Sequence, residues 1–258
     1  SWQVVFSGLA LSVGIGIVAI LLNPEPATPM SDEAIALEQS AEDFLERNAH
    51  LPEYLARAVA WLYGSVFCPF IEFLTRPNWL LIILFILLYK FGDAVLTVMK
   101  IPFFLELGFS NTEIGTIAKL VGFPPIIIGG LFGGLLLAKI GLMRGLLISG
   151  VLMAASNLVF IVQAWVGYSP EMLAVTIAIE NFTTSMGTVA FVAYLSSLCN
   201  IAYTATQYAL LTSFMAFSRT VMTAGSGWVA DQVSWPVFFS LTTLAALPGF
   251  LLLIYLMK

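Results

Sequence analysis

Residues 79–99 read WLLIILFILLYKFGDAVLTVM. The run is long enough to cross the hydrocarbon core of a bilayer as one helix, which takes about 20 mostly apolar residues. Two charged side chains, Lys90 and Asp93, interrupt the run near its middle. A charge there costs about 2.5–3.5 kcal/mol on insertion scales, so such residues usually face a bundle interior or a water-filled path. The stretch therefore predicts a membrane helix that lines a functional path.

The composition of the whole chain points to the same class of protein. Of its 258 residues, 60% are hydrophobic and only 10% are charged, against about 25% charged residues in soluble domains. The mean hydropathy is +0.97. The apolar runs are continuous rather than alternating, which argues against a transmembrane β-barrel. We therefore predict an all-α polytopic membrane protein that is embedded in a lipid bilayer.

Seven segments are long and apolar enough to be membrane helices. They are residues 2–22, 79–99, 112–138, 143–166, 172–199, 206–229 and 235–257. Short connections join the last six, which predicts a six-helix bundle over residues 79–258. The first segment, residues 1–22, is predicted to be a separate transmembrane helix.

The segment 23–78 differs from both of these parts. It holds nine acidic and three basic residues, a formal charge of −6, while the rest of the chain is +1. Residues 23–50 have the composition of a linker. Residues 53–76 mix aromatic and charged side chains, which fits either an amphipathic helix on the membrane surface or a cap packed on the bundle. Because the acidity belongs to one loop, it indicates no nucleic-acid partner.

The basic residues near the predicted helix ends set the orientation. Segment 23–78, the turn with Lys139 and Arg144, and the terminal Lys258 all fall on one side of the membrane. Lys100 is the only flanking basic residue on the other side. Cytoplasmic loops carry the excess of Lys and Arg, so the loop side and the C-terminus are predicted to be cytoplasmic.

Several residue types limit the chemistry that the chain can perform. Cys68 and Cys199 are too few for a disulfide framework and are predicted to be free thiols. The single histidine, His50, lies in the acidic loop, so intramembrane proton coupling would have to use carboxylates. We find no Walker A sequence, metal-ligand spacing or nucleophile elbow, and predict no cofactor and no enzymatic activity. The start at Ser1 has no basic n-region, so we expect a piece of a longer protein rather than a signal peptide.

Lys90 and Asp93 are three residues apart, so they share a helix face and can pair. Two interpretations are open. The pair is either a neutralised contact that fastens two helices, or a carboxylate that changes partner as it gains and loses a proton. Glu180 is a second candidate for proton coupling, since it also lies inside a predicted span.

Five charged side chains are expected to meet in one layer of the bundle, and their net charge of +1 suits an anionic solute. They are Lys90, Asp93, Lys119, Glu180 and Arg219. The alternative is an internal lattice of ion pairs without a ligand. Polar and aromatic neighbours complete the predicted substrate-binding set: Tyr89, Asn181, Thr184, Ser185 and Tyr194.

Glycines in residues 112–138 predict close helix packing rather than chemistry. Gly129, Gly130, Gly133 and Gly134 form two overlapping Gly-x-x-x-Gly frames, a spacing that allows helix backbones to approach.

The turn 134–144, GLLLAKIGLMR, resembles the degenerate loop motif of the major facilitator superfamily, with Ala138 or a neighbour where that motif has an Asp. Six helices after a long loop resemble the C-terminal half of such a carrier. Residues 2–22 resemble the sixth of the family's twelve helices. The resemblance implies a missing partner, the N-terminal half of the carrier.

A closer resemblance is to the AmpG-type anhydromuropeptide permeases. The strings that carry it are LYKFGDA (88–94), EN (180–181), MGT (186–188), AFVA (190–193), LCN (198–200), ATQYALLTS (205–213) and GWV (227–229). The resemblance implies proton-driven import of peptidoglycan fragments across the inner membrane, feeding cell-wall recycling and influencing β-lactamase induction. It also implies that the helices of Lys90 and Glu180 line the cavity. The alternatives are a carrier for another anion such as acetyl-CoA, or a membrane sensor or assembly partner that does not transport.

Overall fold

A computed structural model describes residues 2–22 and 61–257, with four single positions (35, 39, 55 and 59) between them. The predicted linker at 23–50 and the start of the amphipathic segment therefore lie outside the described residues. Within the described ranges every regular element is helical. The helices are α1 (Trp2–Leu22), α2 (Cys68–Thr75), α3 (Trp79–Tyr89), α4 (Phe91–Glu106), α5 (Asn111–Leu120), α6 (Phe123–Ile140), α7 (Leu142–Val166), α8 (Pro170–Ser197), α9 (Thr204–Phe217), α10 (Ser226–Gln232), α11 (Trp235–Leu244) and α12 (Leu247–Leu256).

The structure supports the predicted fold class, an all-α polytopic membrane protein. Among the described residues, six helical stretches are long and apolar enough to cross a bilayer. They are Trp2–Leu22, Trp79–Glu106, Phe123–Ile140, Leu142–Val166, Pro170–Ser197 and Trp235–Leu256. No residue of α1 is buried.

Four of the predicted spans are interrupted, and those at 79–99 and 235–257 divide at Lys90 and at residues 245–246. The segment predicted at 112–138 divides into α5 and α6 at Val121 and Gly122, directly before Pro124 and Pro125, whose missing N–H groups cannot continue the hydrogen-bond ladder. The segment predicted at 206–229 divides into α9, a π-helical turn at Ser218–Met222 and α10.

The span that begins at Trp79 is longer than predicted. It continues past Met99 and through Pro102 to Glu106. Lys100, which was predicted to flank the membrane, lies inside this helix.

The spans of the bundle alternate in direction, which gives it two ends. The loop end carries Arg76 and the turn at Gly141, while the opposite end carries Ser110 and the turn at Gly167. Aromatic contacts close the opposite end, where Phe109 stacks on Tyr168 at 4.5 Å between ring centroids.

Helix α2 packs on the loop end of the bundle. Its Glu72 and Phe73 are buried. Arg76 binds Glu72 at 2.7 Å and donates to the carbonyl of Leu198. Gln207, at 0% exposure, donates to Glu72 as well, so one polar network ties α2 to the turn between α8 and α9.

Helices α6 and α8 approach closely through glycines. A Cβ atom at Gly129 would lie 2.2 Å from the carbonyl oxygen of Phe182, and one at Gly133 would lie 3.0 Å from that of Met186. A Cβ at Gly130 would lie 3.3 Å from the hydroxyl of Ser185. A Cβ atom at Gly134, which was also predicted to pack, would meet no neighbouring atom within 4 Å, and Gly134 is exposed.

Helix α5 begins with a reciprocal cap. The Ser110 side chain accepts from the backbone N–H of Glu113, and the Glu113 carboxylate accepts from the Ser110 backbone N–H at 2.8 Å. The Tyr168 hydroxyl donates to the same carboxylate at 2.5 Å. These hydrogen bonds, led by that of Tyr168, lower the pKa of Glu113 to about 2. Glu113 precedes the span that begins at Phe123.

The glycine contact predicts unequal effects of two alanine substitutions in α6. Gly129→Ala should lower the free energy of unfolding by about 1–3 kcal/mol, because its Cβ overlaps a backbone carbonyl and the helices must separate. Gly134→Ala is the matched control and should be neutral or slightly stabilising, since alanine favours a helix over glycine. Denaturation in detergent, followed by circular dichroism, measures both. Equal losses would contradict the packing assigned to Gly129.

The cap of α5 predicts a pH-dependent contribution to stability. The folded-state pKa of Glu113 is below its ordinary value, so its contribution is complete above pH 4.5 and is lost as the pH falls toward about 2. Tyr168→Phe should raise the pKa of Glu113 toward 4.5, because the first cause of the shift is removed. Carboxyl NMR titration of the labelled side chain tests this, with Tyr255→Phe as the control. An unchanged titration in Tyr168→Phe would exclude the hydrogen bond.

Candidate functional site

A cavity of about 310 Å³ lies where two helices are interrupted. One wall is the junction of α3 and α4, the second is the π-helical turn after α9, and the third is Thr184 on α8. The lining residues are Ile86, Leu87, Lys90, Asp93, Ala94, Thr97, Thr184, Met215, Ala216, Ser218 and Arg219. This cavity is the candidate site, because it contains three charged side chains.

The junction of α3 and α4 positions the first two charges. Lys90 has non-helical backbone angles, φ −101° and ψ 10°, and separates the two helices. Gly92 allows the close approach behind the junction, since a Cβ there would lie 2.2 Å from the carbonyl oxygen of Thr242. On the cavity side, Ser218 donates to the carbonyl oxygen of Leu87 at 2.6 Å. The two interruptions are therefore hydrogen-bonded to each other.

Asp93 lies in the first turn of α4, where the partial positive charge of a helix N-terminus favours an anion. Its side chain is 8% exposed. One carboxylate oxygen accepts from the Thr184 hydroxyl at 2.9 Å, and the other lies 3.6 Å from the Lys90 ammonium. The Lys90 ammonium donates at 2.8 Å to the hydroxyl of Thr188 instead.

A third polar contact joins the same two helices one turn farther along α8. The Lys100 ammonium donates to both oxygens of Glu180, at 2.9 and 3.1 Å. The Glu180 side chain is 4% exposed. Neither residue lines the cavity. Helices α4 and α8 are thus connected by three bridges: Lys90–Thr188, Asp93–Thr184 and Lys100–Glu180.

Arg219 supplies the remaining charge of the cavity. It lies in the π-helical turn, is exposed and lines the cavity. With Lys90 and Asp93 it gives the lining a net charge of +1. A lining with two cations and hydroxyl groups can form charge-assisted hydrogen bonds with a carboxylate or phosphate.

The structure places the other predicted charges elsewhere. Lys119 is exposed on α5 and is outside the cavity lining, so this half of the bundle does not bring it to Lys90 and Asp93. The expectation of five charges in one cluster is corrected to three in the cavity and one separate pair, Lys100–Glu180. The cause is the length of α4, which brings Lys100 into the span beside Glu180.

The two tyrosines predicted to face a cavity belong to the core. The Tyr89 hydroxyl donates to the Leu146 carbonyl at 2.8 Å, and the ring stacks on Phe191 at 5.0 Å. Tyr194 meets Phe85 edge to face at 5.2 Å and is 4% exposed. Both rings fill the space between helices, where aromatic pairs pack well.

Asn181 and Ser185 donate hydrogen bonds to backbone carbonyls of the span formed by α5 and α6, which packs on another side of α8. The Asn181 amide donates to the Gly122 carbonyl at 3.0 Å, and the Ser185 hydroxyl donates to the Ile126 carbonyl at 2.6 Å. Both contacts lie beside the two prolines of α6. Their described partners are therefore backbone carbonyls, as is common where a membrane helix is broken.

Lys100 and Thr188 were not predicted as polar partners beside the site, but the structure shows them in contact with Glu180 and Lys90. A signal for Lys100 existed: it follows Asp93 by seven residues, and residues at that spacing share a helix face. Thr188 follows Thr184 by four residues, which places it on the same face of α8. Among residues 2–22 and 61–257, no group of three or more His, Cys, Asp or Glu side chains comes together to hold a metal.

Comparisons with known proteins point to one family. A model of the Major Facilitator Superfamily matches residues 79–258. A putative transporter AmpG 4 from Rickettsia felis is 38% identical over 203 residues, covering 78% of this chain and 48% of that protein. An anhydromuropeptide permease from Escherichia coli K12 is 32% identical over 254 residues, covering 98% of this chain and 46% of that protein. The chain spans about half the length of these curated relatives, and the resemblance predicted from the sequence is confirmed.

The cavity predicts selective labelling of one lining residue. In a background without Cys68 and Cys199, Ala216→Cys should react at least about tenfold faster with a membrane-impermeant thiol reagent than Ala190→Cys, because the reactive thiolate forms only where water enters. Ala216 lines the cavity and Ala190 is 0% exposed. Mass spectrometry gives both rates. Equal slow labelling would mean that the cavity is dry.

Proposed function

Because the chain belongs to the Major Facilitator Superfamily, we propose that it is the C-terminal part of a proton-coupled importer of anhydromuropeptides across the bacterial inner membrane. Imported peptidoglycan fragments would supply cell-wall recycling. The observation that carries the proposal is the cavity where Lys90, Asp93 and Arg219 meet at two interrupted helices. Discontinuous helices at the depth of the membrane are a common way to build a substrate site in carriers.

The charge of the cavity supports an anionic solute. Peptidoglycan peptides carry free carboxylates, and Lys90 and Arg219 present two cations from two walls of the cavity. A cavity of about 310 Å³ is much smaller than a disaccharide peptide. We infer that this half of the carrier anchors one anionic end of the solute, and that the N-terminal helices cover the rest. The E. coli relative is named an anhydromuropeptide permease, and this chain covers 46% of it.

Proton coupling requires a group that titrates inside the bundle. Asp93 and Glu180 are the two carboxylates that the described spans bury. In the proposed cycle, a carboxylate takes a proton from the outer side, the anion binds to the cations, and the bundle rocks toward the cytoplasm. Release of the proton and the solute on that side completes the cycle.

The proposed orientation follows from the positions of basic residues. Lys139 lies in the last turn of α6 and Arg144 near the start of α7, both at the loop end. Since cytoplasmic loops collect Lys and Arg, we place the loop end, segment 23–78 and the C-terminus in the cytoplasm. The opposite end, with Ser110 and Tyr168, would face the periplasm.

Other anions are compatible with the same charges. A carrier for acetyl-CoA would also need cations in the cavity, and a membrane sensor would need the cavity without transport. Competition separates these functions: excess unlabelled anhydromuropeptide should abolish uptake of the labelled compound, whereas excess acetyl-CoA should leave it unchanged. The reverse result would assign the carrier to acetyl-CoA.

Uptake into proteoliposomes tests the proposal. Vesicles that contain this chain together with the N-terminal helices of its carrier should accumulate labelled anhydromuropeptide when an inward proton gradient is imposed. Asp93→Asn should remove the stimulation by the gradient, because an amide cannot carry the proton. Asp231→Asn is the matched control, since Asp231 is exposed at the end of α10 and lies outside the cavity.

Two results would count against the proposal. Absence of gradient-dependent uptake by the unmodified carrier would exclude proton-coupled import. Retention of full stimulation in Asp93→Asn would exclude Asp93 as the coupling group and leave Glu180.

A further inference from the structure

The two buried carboxylates of the bundle are held in different ways. Glu180 is paired tightly: both of its oxygens accept from the Lys100 ammonium, at 2.9 and 3.1 Å, and its side chain is 4% exposed. Neither Glu180 nor Lys100 touches the cavity. A change in the charge of Glu180 would leave Lys100 uncompensated inside the membrane, which is costly.

Asp93 is paired loosely and is open to the cavity. The Lys90 ammonium lies 3.6 Å from its nearer oxygen, a distance too long for a hydrogen bond, and donates to Thr188 at 2.8 Å. Asp93, Lys90 and Thr184 all line the cavity. The long, flexible stem of lysine lets its ammonium move between partners. A hydrated anion in the cavity would therefore compete directly with Asp93 for Lys90.

We infer that the two pairs have separate roles: Lys100–Glu180 is a fixed clamp between α4 and α8, and Asp93 alone carries the proton, with Lys90 as the partner that it exchanges for the solute. The inference rests on the proposed function and narrows it from two candidate carboxylates to one. Lys100 is thereby a positioning residue, which acts by neutralising Glu180 and fixing the distance between the two helices.

The charges of the cavity balance under this exchange. Before binding, Lys90, Asp93 and Arg219 sum to +1. When one anionic group of the solute takes Lys90, a proton from the outer solution binds the Asp93 carboxylate to form the neutral acid. One negative charge and one proton have then entered, and the sum is still +1. The step needs no redox partner and forms no covalent bond other than O–H.

The groups around Asp93 agree with this role. Tyr89 lies at the end of α3, Arg219 faces it from the π-helical turn, and the Lys100–Glu180 pair lies farther along α4 and α8. The clamp is neutral as a whole. Lys90 and Arg219 are the two cations that line the cavity with Asp93, and they are the groups that a bound anion would contact.

A double-mutant cycle in detergent tests the clamp without any substrate. Lys100→Met should lower the Tm by roughly 10 °C, because it leaves the buried Glu180 carboxylate unpaired. Glu180→Gln should lower the Tm by less, because the Lys100 side chain that it leaves unpaired is 25% exposed. The double variant should recover most of that loss, since it buries no charge. Additive losses in the double variant would show that the two residues do not act as a pair.

The pH profile of uptake tests the role of Asp93, with two hydroxyl variants on α8. Thr184→Val removes a hydrogen bond to the Asp93 anion, so the midpoint of the profile should move about one pH unit toward alkaline pH. Thr188→Val removes the competing partner of Lys90, which should then approach Asp93 and move the midpoint toward acidic pH. A general weakening of the fold would not move the pH midpoint in opposite directions in these two variants, each of which loses one hydroxyl group from α8.

The clamp variants serve as the comparison for the same measurement. The profile of Lys100→Met/Glu180→Gln, normalised to its own maximum, should keep the shape of the unmodified carrier. If that double variant does not insert, the exchanged pair Lys100→Glu/Glu180→Lys gives the same test. A profile that becomes flat in these variants, or shifts of the two threonine variants in one direction, would overturn the inference. Failure of uptake by the unmodified carrier would instead refute the proposed function, while the Tm cycle would still decide whether the clamp exists.

Discussion

Lys90, Asp93 and Lys100 lie at the start of α4 or within it, and α8 supplies a polar partner for each of them. Thr188 accepts from Lys90, Thr184 donates to Asp93, and Glu180 binds Lys100. Without these contacts the burial of the three charged side chains would make the free energy of membrane insertion of α4 less favourable. The same contacts leave Asp93 hydrogen-bonded to Thr184 and 3.6 Å from Lys90 at the wall of the cavity.

Helix α8 holds the bundle together because its faces meet different neighbours. One face carries the polar partners of α4. A second meets α6 through Gly129 and Gly133, where backbones nearly touch. A third meets α7 through the hydrogen bond between Thr183 and Ser156 at 2.9 Å. Close packing on the second and third faces fixes the rotation of α8, and that rotation aims the polar face at α4.

Interrupted helices place Lys90 and Arg219 in the lining of one cavity. A continuous helix would direct Lys90 and Arg219 according to the periodicity of its span, and every backbone group would be bonded within the helix. The breaks at Lys90 and at Ser218–Met222 instead line one cavity, which has a volume of about 310 Å³. The energetic cost of each break is reduced by the hydrogen bond from Ser218 to Leu87. The two irregular stretches of backbone therefore line the same cavity.

The sequence by itself determined the fold class, most of the spans and the identity of the charges within them. A run of about 20 apolar residues is long enough to span the hydrocarbon core, and a charged residue within such a run is rare because its burial is costly. It did not determine which side chains meet. The spans are apolar on all sides, so periodicity does not say which face of a helix is buried. Only the tertiary structure showed that Lys100 binds Glu180, that Tyr89 and Tyr194 fill the core, and that Lys119 lies apart. Those pairings depend on the rotation and crossing of helices, which long-range packing decides.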